Sequence, residues 1–305
     1  MPRPLPPTVF PAGPFRPADL LAAGHPVSRA RHPRLARPTR GVRSVGHVDD
    51  LFGRVGAFSL VLPSDAAFSH RTAARLHGIP VPDDRDPLPV LDVMRPSDRT
   101  RVRRAGCRGH RGLEHRSVVD LDGVRVVAPA DTWCDLAECS DLGRDELVVA
   151  ADALLVRLDG GAGALDAALA GRVRPRGRRA LVEALALARP GVRSPMETRA
   201  RLMFHDAGFP EPEVNGAVRD AAGEWLLEGD LVWRRQRVVG EYQGAHHADR
   251  ARRSADVHRA GLAADHGWTV LEIFAEDVWR PPRRRLTLQR FGRALGLEPA
   301  RLRIA

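Results

Sequence analysis

The stretch "EWLLEGDLVWRRQRVVGEYQG", residues 224–244, decides the fold of the C-terminal third of the chain. Two apolar runs flank the polar segment "RRQR", which predicts two antiparallel strands joined by a hairpin turn. A turn centred on residues 235 and 236 pairs the residues that lie symmetrically about it. The expected pairs are Val232 with Val239, Asp230 with Glu241, and Glu228 with Gln243. Because side chains two positions apart share a face, three carboxylates and one amide are expected on one face of the ribbon.

Facing carboxylates repel one another, and a divalent cation between them is the condition under which a fold tolerates that repulsion most readily. Oxygen ligands at this spacing suit Mg²⁺ or Mn²⁺ rather than zinc. The hairpin therefore predicts a cation site at Asp230 and Glu241. The alternative is an exposed acidic strand face balanced by nearby arginines, which are Arg234, Arg235, Arg237 and Arg250.

A helix is predicted just before the hairpin, in "SPMETRARLMFHDAGFP", residues 194–210. Ser194 suits the N-cap, Pro195 the first helical position and Glu197 the third, which together form a capping box. Gly208 and Pro210 end the helix. Glu197 therefore has two interpretations, a helix cap or a third acid for the hairpin site.

The segment after the hairpin, "DRARRSADVHRAGLAADHGW", residues 249–268, is also predicted to be helical. Arg252, Asp256 and Arg259 fall on one stripe, with Arg250 and Arg253 beside it. We expect Arg253 or Arg259 to contact a phosphate while Asp256 orients the guanidinium. The alternative is an exposed helix with intrahelical ion pairs.

Two further elements complete this part of the chain. The segment "WTVLEIF", residues 268–274, predicts a third core strand. The segment "RPPRRR", residues 280–285, adds a basic patch in which Arg283 and Arg284 are candidate nucleic-acid contacts.

The upstream two thirds carry structural patterns. Residues 17–45 predict short helices around a turn at Gly24, followed by six arginines between Arg29 and Arg43. Such a pattern fits a small helix-turn-helix, with or without a wing, or an Arg-rich surface helix, and the prolines at 33 and 38 break any long recognition helix. Residues 61–157 alternate strands and amphipathic helices, which predicts a small α+β domain.

Composition limits the class of partner. The 305 residues carry a net charge of +10, and all 48 basic residues are arginine. An Arg-favouring base composition explains the lack of lysine but not the excess of base over acid, and that excess suggests a polyanion such as nucleic acid. With no apolar run of 18 residues, no signal sequence and three cysteines without a CxxC pattern, the chain is expected to be cytoplasmic, in a reducing compartment, with no membrane partner.

The motifs from residue 193 to 290 resemble the very-short-patch-repair-like endonuclease domain of the PD-(D/E)xK nuclease superfamily. That family shows SxxE and a Gly-x-Pro helix end, a Val-Asp strand, Glu-Tyr-Asp-Gly followed by His, and then a helix with Asp and Arg and a Gly-Trp strand. The matching residues here are Ser194 and Glu197, Gly208 and Pro210, Gly229-Asp230-Leu231, Glu241-Tyr242-Gln243-Gly244 with His246-His247, Asp256, Arg259, and Gly267-Trp268.

The upstream part is similar to AbiEi-type antitoxin-like proteins, through "SHRTAARLHGIPVP", residues 69–82, and "HRSVVDLDGVRVVAPADTWCDLA", residues 115–137. Together the two resemblances imply an α+β N-terminal region, made of a degenerate winged helix and a small α+β domain, and an α/β restriction-endonuclease-like C-terminal domain with a central mixed sheet flanked by helices. The implied segments are a disordered leader at 1–16, a degenerate helix-turn-helix at 17–60, the antitoxin-like domain at 61–157, a helical linker at 158–192 and the endonuclease-like domain at 193–305.

The resemblance also implies roles at the site. Asp230, Glu241 and the backbone carbonyl of Tyr242 are expected to bind Mg²⁺ or Mn²⁺, with Glu197 holding a metal-bound water from the helix side. Gln243 is expected to orient the attacking water. His246 or His247 is expected to act as general base or to protonate the leaving oxygen, since an imidazole titrates near neutrality.

Gln243 departs from the pattern, because the family usually has Asp at this position and the wider superfamily most often has Lys. Glutamine can ligate through its carbonyl or orient a water, but it supplies no positive charge. Two functions therefore stay open. The first is a metal-dependent DNA endonuclease with a DNA-binding or regulatory N-terminal region. The second is a non-catalytic, antitoxin-like DNA-binding regulator that retains a nuclease fold. DNA is the expected partner of both, with a homodimer or a toxin protein as further candidates.

Overall fold

The computed structural model describes residues 10–82, 90–244 and 261–304. They form two compact units that the chain enters more than once. The first unit extends to Leu142 and also contains Gly163–Leu181. The second contains Gly143–Ala162 and the described residues from Val182 onward. Each unit has its own mixed β-sheet flanked by helices, which confirms the α+β class at this level.

The first unit begins with two short helices, α1 (Pro17–Ala22) and α2 (Val27–Ala30). Gly24, with φ of 81°, makes the turn between them, and α2 ends before Pro33, as the sequence predicts. Phe15 and Leu20 are buried in a small apolar cluster with α2. The sequence assigns Phe15 to the leader, yet its ring completes this cluster and its backbone pairs with residue 43.

The first sheet has the strand order β3-β2-β1-β5-β4 and mixes parallel and antiparallel neighbours. Its strands are β1 (Ala67–Phe68), β2 (Leu91–Arg95), β3 (Cys107–Arg111), β4 (Val118–Leu121) and β5 (Val124–Val127). The helices of this part are α3 (Leu51–Ser59), α4 (His70–Leu76), α5 (Pro129–Leu136) and α7 (Ala162–Ala170). Helix α8 (Arg178–Leu187) passes from this unit into the second.

The second sheet has the order β6-β7-β8-β9, in which the first three strands are antiparallel and β9 is parallel to β8. Its strands are β6 (Glu213–Arg219), β7 (Trp225–Trp233), β8 (Val238–Gln243) and β9 (Thr269–Phe274). Its helices are α6 (Arg144–Leu155), α9 (Pro195–Asp206), α10, described at residues 261–265, α11 (Ala275–Trp279) and α12 (Pro281–Ala294).

Helices cover both faces of this sheet. On one face, Phe204 of α9, Trp233 of β7 and Phe291 of α12 are buried and pack ring against ring at centroid distances of 4.7–5.7 Å. On the other face, Val232 and Val239 are buried with Ala263 of α10. Because both faces are covered by apolar contacts, β7 and β8 form the interior of the unit and hold their side chains in fixed positions.

Helix α6 belongs to the second unit although the sequence groups it with the small domain at 61–157. Its Asp152 is 1% exposed and accepts hydrogen bonds from Thr198 Oγ1 at 2.8 Å and Arg201 at 3.0 Å, both on α9. Arg201 is fully buried, so this ion pair is part of the interior of the unit. The hydrophobic periodicity of α6 does not reveal which sheet the helix packs against. The buried ion pair between Asp152 and Arg201 joins α6 to α9 in the second unit.

The predicted hairpin register is confirmed near the turn. The structure pairs Leu231 with Gly240, Val232 with Val239 and Trp233 with Val238. A short 3₁₀ segment, Arg234–Gln236, makes the turn and Arg237 adopts a left-handed conformation with φ of 54°. Across the described ranges, no helix has the length and apolar character needed to cross a membrane.

Candidate functional site

Partway along β6 and β7, the side chains that pack on one face of the sheet change to the opposite face. In a regular strand, residues four apart share a face. Val214 nevertheless packs with the α9 side of the sheet whereas Val218 packs with the α10 side. Leu231 and Leu227 on β7 show the same exchange.

Asn215 and Asp230 occupy the facing positions at this exchange, between the pairs Val214–Leu231 and Gly216–Gly229. Asn215 has φ of 47°, a left-handed conformation that asparagine tolerates better than most residues. Asn215 and Asp230 therefore lie where the regular alternation of side chains along β6 and β7 is interrupted. The strict alternation assumed for the three predicted acids does not hold across Asp230.

Asp230 is half-buried, and its Oδ2 accepts a hydrogen bond of 2.7 Å from the backbone N–H of Tyr242. This bond links β7 to the end of β8 beyond the paired residues. Burial raises the pKa of Asp230 to about 6, and the nearby charge of Glu197 adds to the rise. The Tyr242 bond and the charge of Arg193 act in the opposite direction. The carboxylate is thus held in a position where added positive charge would stabilise it.

Glu241 lies on β8, half-buried, directly after Gly240, whose partner Leu231 directly follows Asp230 on β7. A methyl group at Gly229 would lie 3.6 Å from Glu241 Oε1, so the absence of a side chain at position 229 leaves room beside this carboxylate. Tyr242 points into the α9 side of the core, which leaves its backbone as the part that faces the site. Gln243 is exposed at the end of β8, opposite Phe274 of β9.

Glu197 is buried at 8% exposure in the first turn of α9. Ser194 Oγ accepts the Glu197 N–H at 3.2 Å, which confirms the predicted N-cap. The carboxylate, however, accepts the N–H of Arg193 at 3.0 Å, one residue before the cap. Its Oε2 also accepts a bond of 3.0 Å from Asn215 Nδ2. Glu197 therefore contributes both to the start of α9 and to the candidate site, because it is hydrogen-bonded to Asn215, the residue that faces Asp230 on the neighbouring strand.

Glu228 has its own counter-ion. Arg193 donates two hydrogen bonds to its carboxylate, at 2.8 and 2.6 Å, and this pairing holds the pKa of Glu228 below its usual range. The predicted crowding of three acids is therefore relieved by one arginine. The remaining acids of the candidate site are Asp230, Glu241 and Glu197.

Of the other predicted site residues, Arg283 and Arg284 contact neighbouring residues of the protein. Arg283 Nε donates to Asp277 Oδ1, in the first turn of α11, at 3.3 Å, and Arg284 Nε donates to the Val278 carbonyl at 3.0 Å and so caps the end of this helix. His246, His247, Arg253, Asp256 and Arg259 lie outside the described residues.

The donor set suits a hard cation. Asp230, Glu241 and the Tyr242 carbonyl are all oxygen donors, the type that Mg²⁺ and Mn²⁺ prefer. Burial, and after it the charges of Glu197 and Glu228, raise the pKa of Asp230, so a cation beside this carboxylate would stabilise its charged form. In the described parts of the chain, no group of three or more His, Cys, Asp or Glu side chains converges as a metal site. A cation here would thus depend on backbone or water oxygens to complete its shell.

Sequence reasoning missed Arg193 and Asn215. Arg193 precedes the N-cap in "RPGVRS", which the sequence marks only as a boundary. Asn215 precedes Gly216 in a strand, and an Asn-Gly pair is a recognisable signal of left-handed backbone. That signal was present, but its consequence for Glu197 depends on a contact between β6 and α9.

The fold and the acids define a two-unit α+β protein whose second sheet carries a carboxylate cluster beside the start of a helix. No protein-family model matches the chain. Two proteins from different strains of Mycobacterium tuberculosis, named uncharacterized protein MT2308 and uncharacterized protein Rv2248, are each 30% identical to it over 240 residues. The match covers 77% of this chain and 84% of each relative. The chain belongs to the family of these mycobacterial proteins.

Proposed function

We propose that the protein is a metal-dependent DNA endonuclease that hydrolyses phosphodiester bonds at the β7–β8 hairpin. The observation that carries the proposal is Asp230. Its carboxylate is half-buried and tied to the backbone of Tyr242, and burial together with the charges of Glu197 and Glu228 raises its pKa to about 6. A bound cation would stabilise this charge, and a bound cation can activate water and stabilise the phosphate in phosphodiester hydrolysis.

The order of elements supports the same proposal. Helix α9 is followed by three antiparallel strands, by α10 and by a strand parallel to the third. Within the described residues, the motifs that resemble the very-short-patch-repair-like domain lie on these elements, with Glu197 on the helix and Asp230 and Glu241 on neighbouring strands. We therefore interpret the second unit as a restriction-endonuclease-like fold.

In this proposal Asp230, Glu241 and the Tyr242 carbonyl hold Mg²⁺ or Mn²⁺. The cation, when bound, lowers the pKa of a water and stabilises charge on the phosphate. Glu197 orients water from the helix side, held in place by Asn215 and by the N–H of Arg193. Gln243, exposed at the strand end, orients the attacking water through its amide.

The first unit is proposed to bind DNA. Helices α1 and α2 enclose a small apolar cluster and are followed by two isolated bridges, an arrangement that fits a degenerate winged helix. The excess of arginine favours phosphate contacts over base contacts, because guanidinium groups bridge phosphate oxygens without reading sequence.

Nicking of supercoiled plasmid in the presence of Mg²⁺ or Mn²⁺ tests the proposal. We expect the wild type to nick and Asp230→Ala and Glu241→Ala to lose the activity. Asp220→Asn is the control, since Asp220 lies in the β6–β7 turn, where it accepts backbone N–H bonds. A wild type that binds DNA but shows no metal-dependent nicking refutes the enzyme.

The second candidate, a non-catalytic DNA-binding regulator of the antitoxin type, is favoured by two observations. Glu197 Oε2 already accepts two hydrogen bonds from the protein, and in the described residues no three metal-ligating side chains converge. In that case Asp230, Glu241 and Glu197 have a structural role only. DNA binding unchanged by Mg²⁺ and by both alanine variants, together with capture of a toxin protein partner, would support the regulator.

A further inference from the structure

The candidate site has carboxylates but lacks the lysine that the wider nuclease superfamily most often carries at the position of Gln243. Phosphodiester hydrolysis builds negative charge on the phosphate oxygens, and a fixed positive group at that point lowers the barrier. Gln243 is neutral, so any such group belongs to another residue. Among the described residues, Arg193 forms an ion pair with Glu228 and its charge acts on Asp230.

Arg193 lies immediately before Ser194, the N-cap of α9. Its backbone N–H donates to Glu197 at 3.0 Å, so the main chain is fixed against one acid of the site. Its guanidinium holds Glu228 with two bonds of 2.6 and 2.8 Å, and its charge acts on both Glu197 and Asp230. Arg193 thus contacts Glu197 and Glu228 directly, and its charge also acts on Asp230.

The guanidinium is available to a ligand. The Arg193 side chain is 61% exposed and that of Glu228 is 40% exposed. Exposed ion pairs contribute little to stability because water screens them and both side chains lose freedom. A DNA phosphodiester presents the same two-oxygen edge and the same single negative charge as a carboxylate, and the neighbouring phosphates of the backbone add to its attraction for a planar guanidinium fork.

We propose that Arg193 is a catalytic residue that leaves Glu228 to bind the scissile DNA phosphate, supplying the positive charge that Gln243 lacks. The proposal rests on the proposed nuclease function. Glu228 then acts as a resting partner that keeps the guanidinium at the site before DNA arrives. Because the Glu197 bond involves only the backbone of Arg193, replacing the side chain leaves Glu197 held in place.

Two measurements test this role. In single-turnover nicking of supercoiled plasmid with Mg²⁺, we expect Arg193→Ala to be slower by about a hundred-fold or more. Arg193→Lys should retain more activity than Arg193→Ala because it keeps the charge. In DNA binding with Ca²⁺ replacing Mg²⁺, Arg193→Ala should reduce the slope of log affinity against log salt by about 1, as expected for one lost phosphate contact.

The control is Arg301→Ala, which removes the same charge from an arginine that is 80% exposed and paired with Glu298 at 2.8 Å. We expect it to nick at about the wild-type rate. Glu228→Gln frees the guanidinium and should bind DNA more tightly. If Arg193→Ala melts below the assay temperature, Arg193→Gln and Arg193→Lys replace it.

The outcomes separate the two proposals. A wild type that nicks, with Arg193→Ala equally fast and equally salt-dependent, overturns the role of Arg193 and leaves the nuclease standing. A wild type that does not nick overturns both. Loss of activity and of salt slope in Arg193→Ala but not in Arg301→Ala is the expected result.

Discussion

Replacing Asp230 with asparagine should make the second unit more stable at neutral pH. Burial raises the pKa of this carboxyl from its ordinary value of 3.8 to about 6, so the folded state holds the proton more tightly than the unfolded state does. The stability contributed by the protonated form is complete below pH 3.8 and is lost as the pH rises through about 6. At neutral pH the folded protein therefore carries a buried charge that asparagine removes.

The magnitude follows from the pKa. At 1.36 kcal/mol per tenfold change in proton affinity, a rise from 3.8 to about 6 corresponds to about 3 kcal/mol. Solvent reaches part of the carboxylate and screens it, so we expect about 1–3 kcal/mol of stabilisation in Asp230→Asn at pH 7.5. Asparagine keeps an oxygen that can accept the Tyr242 N–H, so this hydrogen bond is preserved.

The measurement is urea unfolding of wild type and Asp230→Asn at several pH values between 4 and 8. Hydrogen exchange of the β7 and β8 amides assigns the effect to the second unit. The difference in unfolding free energy should be small at pH 4 and should grow through pH 6. A difference that is the same at both ends of this range refutes the reasoning, because it would mean that the charge carries no cost.

Mg²⁺ extends the same experiment. A cation beside Asp230 stabilises the charged form, so Mg²⁺ should raise the stability of the wild type at pH 7.5. Asp230→Asn should respond less, whereas Asp220→Asn should respond as the wild type does. If Mg²⁺ raises the stability of all three proteins equally, the cation does not bind at Asp230.

Three further predictions concern the frame of the site. Asn215→Ala should be less stable than Asn215→Gly by about 1–2 kcal/mol, because only glycine accepts φ of 47° without strain; equal thermal stability contradicts this. Arg201→Met should lower the free energy of unfolding in urea by about 3–5 kcal/mol, because it leaves the buried charge of Asp152 without its counter-ion. The double variant Arg201→Met/Asp152→Leu should lose less stability than Arg201→Met alone, and strictly additive losses would show that the two residues do not interact. Gly229→Ala should cost about 1–3 kcal/mol, because its methyl overlaps Val239 Cγ1, and Val239→Ala should restore part of the loss; the absence of any rescue argues against this overlap.

The hairpin was predictable because it is set by short-range patterns. Two apolar runs around "RRQR" determine which residues pair, and the structure has Val232 opposite Val239 as expected. The N-cap at Ser194 was predictable for the same reason, since the cap and its bond lie within three residues. Local propensity and periodicity carry this information.

The remainder of the site depends on contacts between distant elements. The exchange of faces at Asp230 lies opposite the left-handed backbone of Asn215 on the neighbouring strand, 15 residues earlier in the chain. The pairing of Glu228 follows from the position of Arg193, 35 residues earlier in the chain. Periodicity treats each strand as regular and each charge as solvated, so it predicts three facing acids. The structure has instead one ion pair, one acid held at the start of a helix, and two acids on adjoining strands.

The interleaved path of the chain limits how this protein can be divided. The chain passes between the units at Leu142–Gly143, at Ala162–Gly163 and at Leu181–Val182. A fragment that starts at the apparent nuclease boundary near residue 193 therefore lacks α6, and with it the partner of Arg201. Such a fragment would bury a bare guanidinium in its core. Exchange of either unit with another protein by simple fusion would meet the same obstacle, so the two units are expected to be inherited together.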